Sequence, residues 1–231
     1  MKIRISYIAL IGLAATLPLF AQAPFEAGGS LTLAFPQNEF ADNVDNLGFG
    51  ASGNFLARFP GSPLAIGGSF TFLIYGSETR KEPLIPPVYV DVTTTNAIIM
   101  GHVLLRIQPS DGPLVPYADG LLGFNFLTTD SRIENEQGEE IASSNNFRDI
   151  TFGYGAGAGV KIRVHQKPDR KSWETGISAV YLDLGARYLM GGEAEYLKKG
   201  SIEIDGDDVR YTVVKSTTDI LTIHAGVMMT F

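Results

Sequence analysis

The sequence predicts an all-β protein, an eight-stranded antiparallel up-and-down β-barrel. Apolar residues alternate with polar or small residues in eight separate runs. Glycine is abundant, at 26 of 231 residues, and the connections between the runs are alternately short and long. A period of two is typical of strands whose two faces differ. Eight such strands in a meander lose their exposed edges when the sheet closes, so we expect a barrel.

The alternation places the strands at 25–35, 47–59, 64–75, 95–107, 115–128, 149–164, 174–190 and 218–231. In the sixth strand, Phe152 and Tyr154 fall on one face, while Lys161 and Arg163 fall on the other. The fourth strand is the least regular, because three apolar residues interrupt its polar face: Ile98, Met100 and Leu104.

The connections predict a barrel with two unlike ends. Three of them are short and rich in turn-forming residues: "PGSP", "QPSDGP" and "HQKPDRKS". The other four are long and polar, at about 36–46, 76–94, 129–148 and 191–217. Two of the long connections are expected to contain hairpins, with turns at Asp205-Gly206 and near Gln137-Gly138.

The N-terminal segment, residues 1–23, has the organisation of a secretory signal peptide. Lys2 and Arg4 precede an apolar stretch, and Ala21-Gln22-Ala23 forms a small-residue cleavage site. An uncleaved anchor is the alternative, but about 16 apolar residues are short for a membrane span. We therefore expect an exported chain with one domain, residues 24–231.

The composition excludes several function classes. The chain has no cysteine, so disulfides, thiol catalysis and an N-terminal lipid anchor on cysteine are not expected. Its net charge is −7, which disfavours binding to nucleic acid.

Alternation alone leaves open which face points inward. A soluble exported ligand carrier would hold the apolar face inside, whereas a transmembrane barrel turns it toward lipid. In a membrane the charged face must point inward, because an arginine or lysine facing the bilayer centre costs about 2–4 kcal/mol. This cost does not separate a membrane barrel from a soluble one, in which the same residues would face water. The Gly-x-Trp of soluble carriers of the lipocalin type is also missing, as the only tryptophan is Trp173. Aromatic residues near the strand ends suggest two interfacial girdles: Phe25, Phe59 and Phe231 at one end, and Phe35, Phe126, Phe152 and Tyr188 at the other.

The inward face then carries charges of both signs, which must pair or be solvated in a narrow lumen. The basic residues of strands two, four and six are expected toward the short-turn end, and Asp183 and Arg187 higher in strand seven. We expect these side chains to form an interior polar network that plugs the barrel: Arg58, His102, Arg106, Asp119, Lys161, Arg163, Asp183, Arg187 and His224.

The final strand, "LTIHAGVMMTF", alternates up to a terminal Phe231. Together with "VPYADGLLGFNF", "FGYGAGAGVKIRV" and "YLDLGARYL", it resembles the small eight-stranded outer-membrane β-barrels of Gram-negative bacteria, the OmpA/OmpX-like group. The resemblance covers residues 24–231. It does not extend to the periplasmic peptidoglycan-binding domain that longer relatives carry after the barrel. It implies an outer-membrane location, contact with outer-membrane lipid and lipopolysaccharide, and a role for Phe231 as the signal read by the outer-membrane assembly machinery.

Catalysis is not expected. His165 falls in a short turn, and His102 and His224 fall within strands on the inward face, where a packed histidine is the simpler interpretation. The chain contains none of the Ser-x-x-Lys, Gly-x-Ser-x-Gly or His-Glu-x-x-His motifs. The acidic stretch Asp205 to Asp208 is interpreted as a turn with solvated charge, so no cofactor or metal site is predicted.

The remaining candidates for function are the four long loops. A rigid barrel that displays polar loops predicts a structural or adhesive surface protein, which binds an extracellular ligand or a host surface. Two alternatives remain open: a small channel for hydrophobic compounds or ions, and a soluble exported ligand-binding barrel.

Overall fold

The computed structural model describes residues 24–44, 46–85, 88–109, 111–134, 140–167, 176–205 and 208–231. The predicted signal peptide, Trp173 and the Gln137-Gly138 turn lie outside the described residues. The elements in chain order are β1 (Phe25–Pro36), α1 (Asn38–Asn43), β2 (Gly48–Arg58), β3 (Leu64–Ile85), β4 (Val88–Ile107), β5 (Leu114–Glu134), β6 (Glu140–Gln166), β7 (Ala179–Gly191), β8 (Glu193–Asp205), β9 (Asp208–Thr217) and β10 (Ile220–Thr230).

Eight of the strands form a closed antiparallel barrel in the order β1-β10-β7-β6-β5-β4-β3-β2, and the predicted fold class is confirmed. The barrel closes between the first and last strands, where the pairing runs from Glu26–Thr230 to Pro36–Ile220. The backbone N–H of Phe231 extends this seam by donating to the carbonyl of Phe25 at 2.9 Å. The two ends are called here the turn end, with the short connections, and the loop end.

Four strands extend further at the loop end than the alternation predicts. The segment 76–94 was expected to be a loop, yet β3 and β4 continue their pairing through most of it. A hairpin was expected within 129–148, and β5 and β6 pair through the described residues of that segment. These extensions lack a regular apolar alternation, since threonine, serine and charged residues are frequent in them. Threonine-rich stretches such as 93–95 still favour strand, since β-branched residues fit a pleated sheet.

One further correction concerns the segment 36–46, which was expected to be a loop and contains the short helix α1. The segment 191–217 forms the separate hairpin β8–β9, as the sequence predicts. Residues 206 and 207, which include Gly206 of the predicted turn, lie outside the described part of the chain. The seventh barrel strand begins at Ala179, five residues later than predicted.

The apolar face of the barrel points outward. Along β5 the exposed residues Leu122, Phe124 and Phe126 alternate with buried or small residues that face the lumen. Phe152, Tyr188 and Phe231 are also outward and exposed. Within the described ranges, none of the helices has the length and apolar character needed to cross a membrane.

Candidate functional site

The inward-facing residues fill the barrel with polar and charged side chains in its lower part, toward the turn end, and in its middle part. Each residue comes from a position that alternates with an outward apolar residue. The group called here the lumen network consists of Glu26, Arg58, Arg106, Gln108, Tyr117, Asp119, Lys161, Asp183, Arg187 and His224.

Glu26 is the centre of the network near the turn end. Its carboxylate accepts hydrogen bonds from Lys161 Nζ at 2.8 Å to both oxygens, and from Gln108 Nε2 at 2.9 Å. Arg58 Nη1 lies 3.7 Å from the same carboxylate and also pairs with Asp111 at the mouth of the barrel. A buried carboxylate is therefore matched by two cations, which offsets the cost of removing it from water.

Asp119 holds two buried arginines in the middle of the lumen. Arg106 donates to it through Nε at 2.7 Å and Nη2 at 2.9 Å, the two-point geometry that suits guanidinium and carboxylate. Arg187 donates to the same carboxylate from the other side at 3.0 Å. Its remaining N–H groups reach Ser69 and Asn54, each at 3.1 Å. One acidic side chain thus connects β4, β5 and β7 across the barrel.

Tyr117 joins a second group of polar residues to the arginines. Its hydroxyl donates to Asp183 Oδ1 at 2.8 Å and lies 3.1 Å from His224 Nε2. The Arg106 guanidinium lies 3.6 Å from the centre of the Tyr117 ring, a cation–π distance. This ring fits only because the wall beside it is glycine: a Cβ at Gly185 would lie 2.6 Å from the tyrosine oxygen.

The remaining predicted residues take less central positions. His102 is buried near the side chain of Asn125. Arg163 is half-buried, next to an irregularity in the β6–β7 pairing, and hydrogen-bonds Tyr181 rather than the lumen network. Asp183 was expected high in its strand, but the register pairs it directly with Lys161, so it belongs to the lower lumen.

The grouping of tyrosine, aspartate and histidine has the composition of an acid–base site, but it lacks access. Tyr117 is buried, and Asp183 and His224 are each at most 3% exposed. A general acid or base must reach the proton of a substrate. Among the described residues, the lumen network therefore offers no acid–base group that a substrate could reach.

The upper lumen is apolar and ends in an aromatic cap, formed by Phe40 of α1, Tyr75 of β3 and Tyr196 of β8. The Phe40 ring lies 5.5 Å from Tyr75 and 5.4 Å from Tyr196, centre to centre, and Phe40 is 1% exposed. Below it lies a layer of buried apolar residues: Leu73, Ile98, Met100, Leu127, Leu189 and Ile220.

Polar contacts hold α1 on this cap. Glu39 Oε2 accepts hydrogen bonds from both the backbone N–H and the hydroxyl of Thr217, each at 3.0 Å. These bonds lower the pKa of the Glu39 carboxyl, the backbone N–H more than the hydroxyl, because they favour its ionised form. Asn38 Nδ2 donates to Asp219 Oδ2 at 2.7 Å and to Tyr188 at 3.1 Å. Asn38 itself has a positive φ of 52°, which asparagine tolerates better than most residues.

Sequence reasoning missed several members of these two groups. Glu26 occupies an inward position in the alternation of β1, so its place in the lumen could be predicted from the sequence. Tyr117 also occupies an inward position of β5, but alternation along one strand does not show its contacts with Asp183 and His224. Phe40 had no signal in the period of two, since α1 is not a strand.

The fold and the side-chain arrangement define the class of protein as a closed eight-stranded antiparallel β-barrel with an apolar exterior and a filled lumen. No protein-family model matches the sequence, and no curated protein matches it.

The barrel is similar to several solved structures. Neisserial surface protein A (NspA) shares 17% identity over 90% of this chain and 97% of that chain, with a TM-score of 0.42. Ail of Yersinia pestis, solved with the heparin analogue sucrose octasulfate, shares 14% identity over 90% and 97%, with a TM-score of 0.40. The N-terminal β-barrel domain of Pseudomonas aeruginosa OprF shares 12% identity over 91% and 98%, with a TM-score of 0.34. At these identities the similarity concerns the fold alone.

Proposed function

We propose that the chain is an integral outer-membrane β-barrel protein whose role is structural and adhesive, with binding by its extracellular loops. The outward apolar residues support a lipid-facing surface, because a continuous apolar exterior is unstable in water. Burial of the charges in the lumen supports the same orientation. In this arrangement the turn end faces the periplasm and the loop end faces the outside of the cell.

The filled lumen is the single observation that carries the non-channel role. In the part of the chain that the structure describes, the ion pairs of Glu26 and Asp119 cross the lower and middle lumen. Above them the apolar layer and Phe40 fill the loop end. An eight-stranded barrel has an interior just wide enough for its own side chains, so little space remains for a solute.

The loops are strongly acidic, which bears on the partner. The segments 36–46, 76–94, 129–148 and 191–217 together contain 17 of the 25 Asp and Glu residues, but only 8 of the 18 Lys and Arg residues. Complementary potentials favour association, so a cationic or uncharged surface is a better partner than a polyanion.

Two measurements test this proposal. Protein extracted from membranes should migrate differently on a denaturing gel with and without boiling, because a membrane barrel stays folded in detergent until heated. Planar-bilayer recordings of the purified protein should lack large, steady open currents. Steady currents would instead favour the alternative, a small channel for hydrophobic compounds or ions. Recovery of the native protein in the soluble periplasmic fraction would favour the second alternative, a soluble exported carrier.

Phe231 is proposed as the signal for the outer-membrane assembly machinery. Deletion of Phe231 should lower the amount of assembled barrel in the outer membrane, because it removes both an interfacial aromatic and the end of the β1–β10 seam. Thr230→Ala is the matched control, since Thr230 faces the lumen on the same strand. Equal assembly of the two variants would contradict this role.

A further inference from the structure

A groove of about 630 Å³ lies on the outer surface of the barrel near the loop end. It is lined by the outward faces of β4 and β5, with Phe72 of β3 at its lower edge. This surface exists because β3 to β6 continue beyond the level where the other barrel strands end.

The lining changes from apolar to polar in the order of the paired residues. At the lower edge, Phe72 pairs with Ile99, which pairs with Phe126. Two residues further along each strand, Ala97 lies opposite Thr128. These apolar residues are continuous with the outward apolar surface that faces lipid in the proposed function.

The upper part of the groove is polar. Thr95 lies opposite Asp130, and Thr93 lies opposite Arg132. Four residues separate Thr95 from Ile99, a distance of about 13 Å along a strand. The groove therefore presents an apolar surface and a group of hydroxyl, carboxylate and guanidinium side chains within the length of one membrane lipid.

We propose that this groove binds a glycolipid of the surrounding leaflet, with its acyl chain on Phe72 and Ile99 and its sugar headgroup among Thr93, Thr95, Asp130 and Arg132. A carboxylate accepts and a guanidinium donates, so together with threonine hydroxyls they match the alternating donors and acceptors of a sugar.

The charge of the groove separates this occupant from an ordinary phospholipid. Glu134 also lines it and lies 3.7 Å from Arg132, so two carboxylates accompany one guanidinium among the described residues that line the groove. Like charges repel, so a phosphate without sugar hydroxyls gains little there. The inference rests on the proposed outer-membrane location, because only a lipid-facing barrel would meet such a ligand at this position.

The test is the binding of defined lipids to the detergent-solubilised full chain, measured by native mass spectrometry. Three probes separate the chemistries: a monoglucosyl diacylglycerol, a diglucosyl diacylglycerol and phosphatidylglycerol. We expect the two sugar-bearing lipids to bind more tightly than phosphatidylglycerol. Equal binding of all three would overturn the proposal, since general adsorption to the apolar surface would then suffice.

Two pairs of variants locate the site. Asp130→Ala should weaken glycolipid binding about tenfold, the equivalent of one hydrogen bond to a charged group. Glu193→Ala, at an exposed carboxylate outside the groove, should leave binding unchanged. Thr95→Val removes a hydroxyl at nearly constant shape and should also weaken binding, whereas Thr212→Val on β9 should not.

The failure of this proposal is distinguishable from a failure of the proposed function. If both groove variants bind glycolipid like the wild type, the groove is not the site, even when the gel shift on boiling shows a folded membrane barrel. If the wild type shows no gel shift, the outer-membrane location itself is wrong.

Discussion

The lower and middle lumen and the loop end of this barrel both exclude solvent, but they do so with different interactions. The lumen network connects strands that are far apart in the sequence through ion pairs, as Asp119 does with Arg106 and Arg187. The aromatic cap instead places apolar rings over an apolar layer, and only peripheral hydrogen bonds hold α1 in place.

The difference predicts different consequences of mutation. Removal of one partner from a buried ion pair leaves an uncompensated charge in a low-dielectric interior. Removal of an apolar side chain from the cap leaves a cavity, and the helix that carries it can undock without opening the barrel. We therefore expect global effects from the network and local effects from the cap.

Asp119→Ala should have the largest effect. It leaves Arg106 and Arg187 buried without their shared carboxylate, at a cost of about 3–5 kcal/mol. The fraction of heat-resistant folded protein on unboiled gels and the thermal unfolding midpoint in detergent should both fall. Asp111→Ala is the control, because Asp111 pairs with Arg58 at the mouth and its side chain is 55% exposed. The global role of the network would be wrong if both variants unfolded at the same temperature.

The Glu26–Lys161 pair allows a sharper test of the same principle. Glu26→Leu alone should destabilise the barrel, since it leaves the Lys161 ammonium buried in the lumen without its carboxylate partner. The double variant with Lys161→Met should recover most of the loss, because a buried ion pair replaced by apolar residues is often neutral or stabilising by about 1–4 kcal/mol. Unfolding midpoints of the two single variants and the double variant give the coupling. Simple additivity would show that the two residues do not act as a pair.

Phe40→Ala should act locally. The cavity left between Tyr75 and Tyr196 costs about 3–5 kcal/mol of cap stability, and α1 should detach from the loop end. Hydrogen exchange should rise in α1 and in β8–β9, while the unfolding midpoint of the barrel changes little. Planar-bilayer currents should stay absent, because the lumen network still fills the barrel below. A drop in the barrel midpoint as large as that of Asp119→Ala would remove the distinction between the two regions.

Acidification should have the smallest effect, confined to the cap. Hydrogen bonds from Thr217 lower the pKa of Glu39 below its ordinary value of 4.5. A group with a lowered folded-state pKa contributes stability above its unfolded value and loses it as the pH falls through the folded value. The NMR shift of the Thr217 amide should therefore titrate with a midpoint below 4.5. Glu39→Gln should abolish that titration, and a midpoint at or above 4.5 would mean that Glu39 is not docked.

Much of the barrel could be predicted from the sequence, because the alternation of its strands depends only on neighbouring positions along each strand. A strand with one lipid-facing side and one lumen-facing side must alternate, and Leu122, Phe124 and Phe126 show that pattern whatever their neighbours. The strand count and the short turns follow from it. The extensions of β3 and β4 were missed for the same reason, since strands beyond the barrel need not alternate. The hairpin of β5 and β6 was predicted from its turn residues instead.

The pairing of charges was decided only by the tertiary structure. The alternation along β4, β5 and β7 places Arg106, Asp119 and Arg187 inside the barrel. Their mutual contact depends on the register of the strands and on the space that glycine leaves for the Tyr117 ring. The three apolar interruptions of the fourth strand had no explanation in the alternation. In the structure, Ile98 and Met100 belong to the apolar layer beneath Phe40.

The sequence by itself determined which side chains face in and which face out, since that choice depends on the spacing of neighbours along one strand. The tertiary structure decided which inward groups meet, how α1 covers the apolar layer, and how β4 and β5 together form the outer groove. These features join residues that are distant in the sequence, and the geometry of the closed sheet brings them within contact.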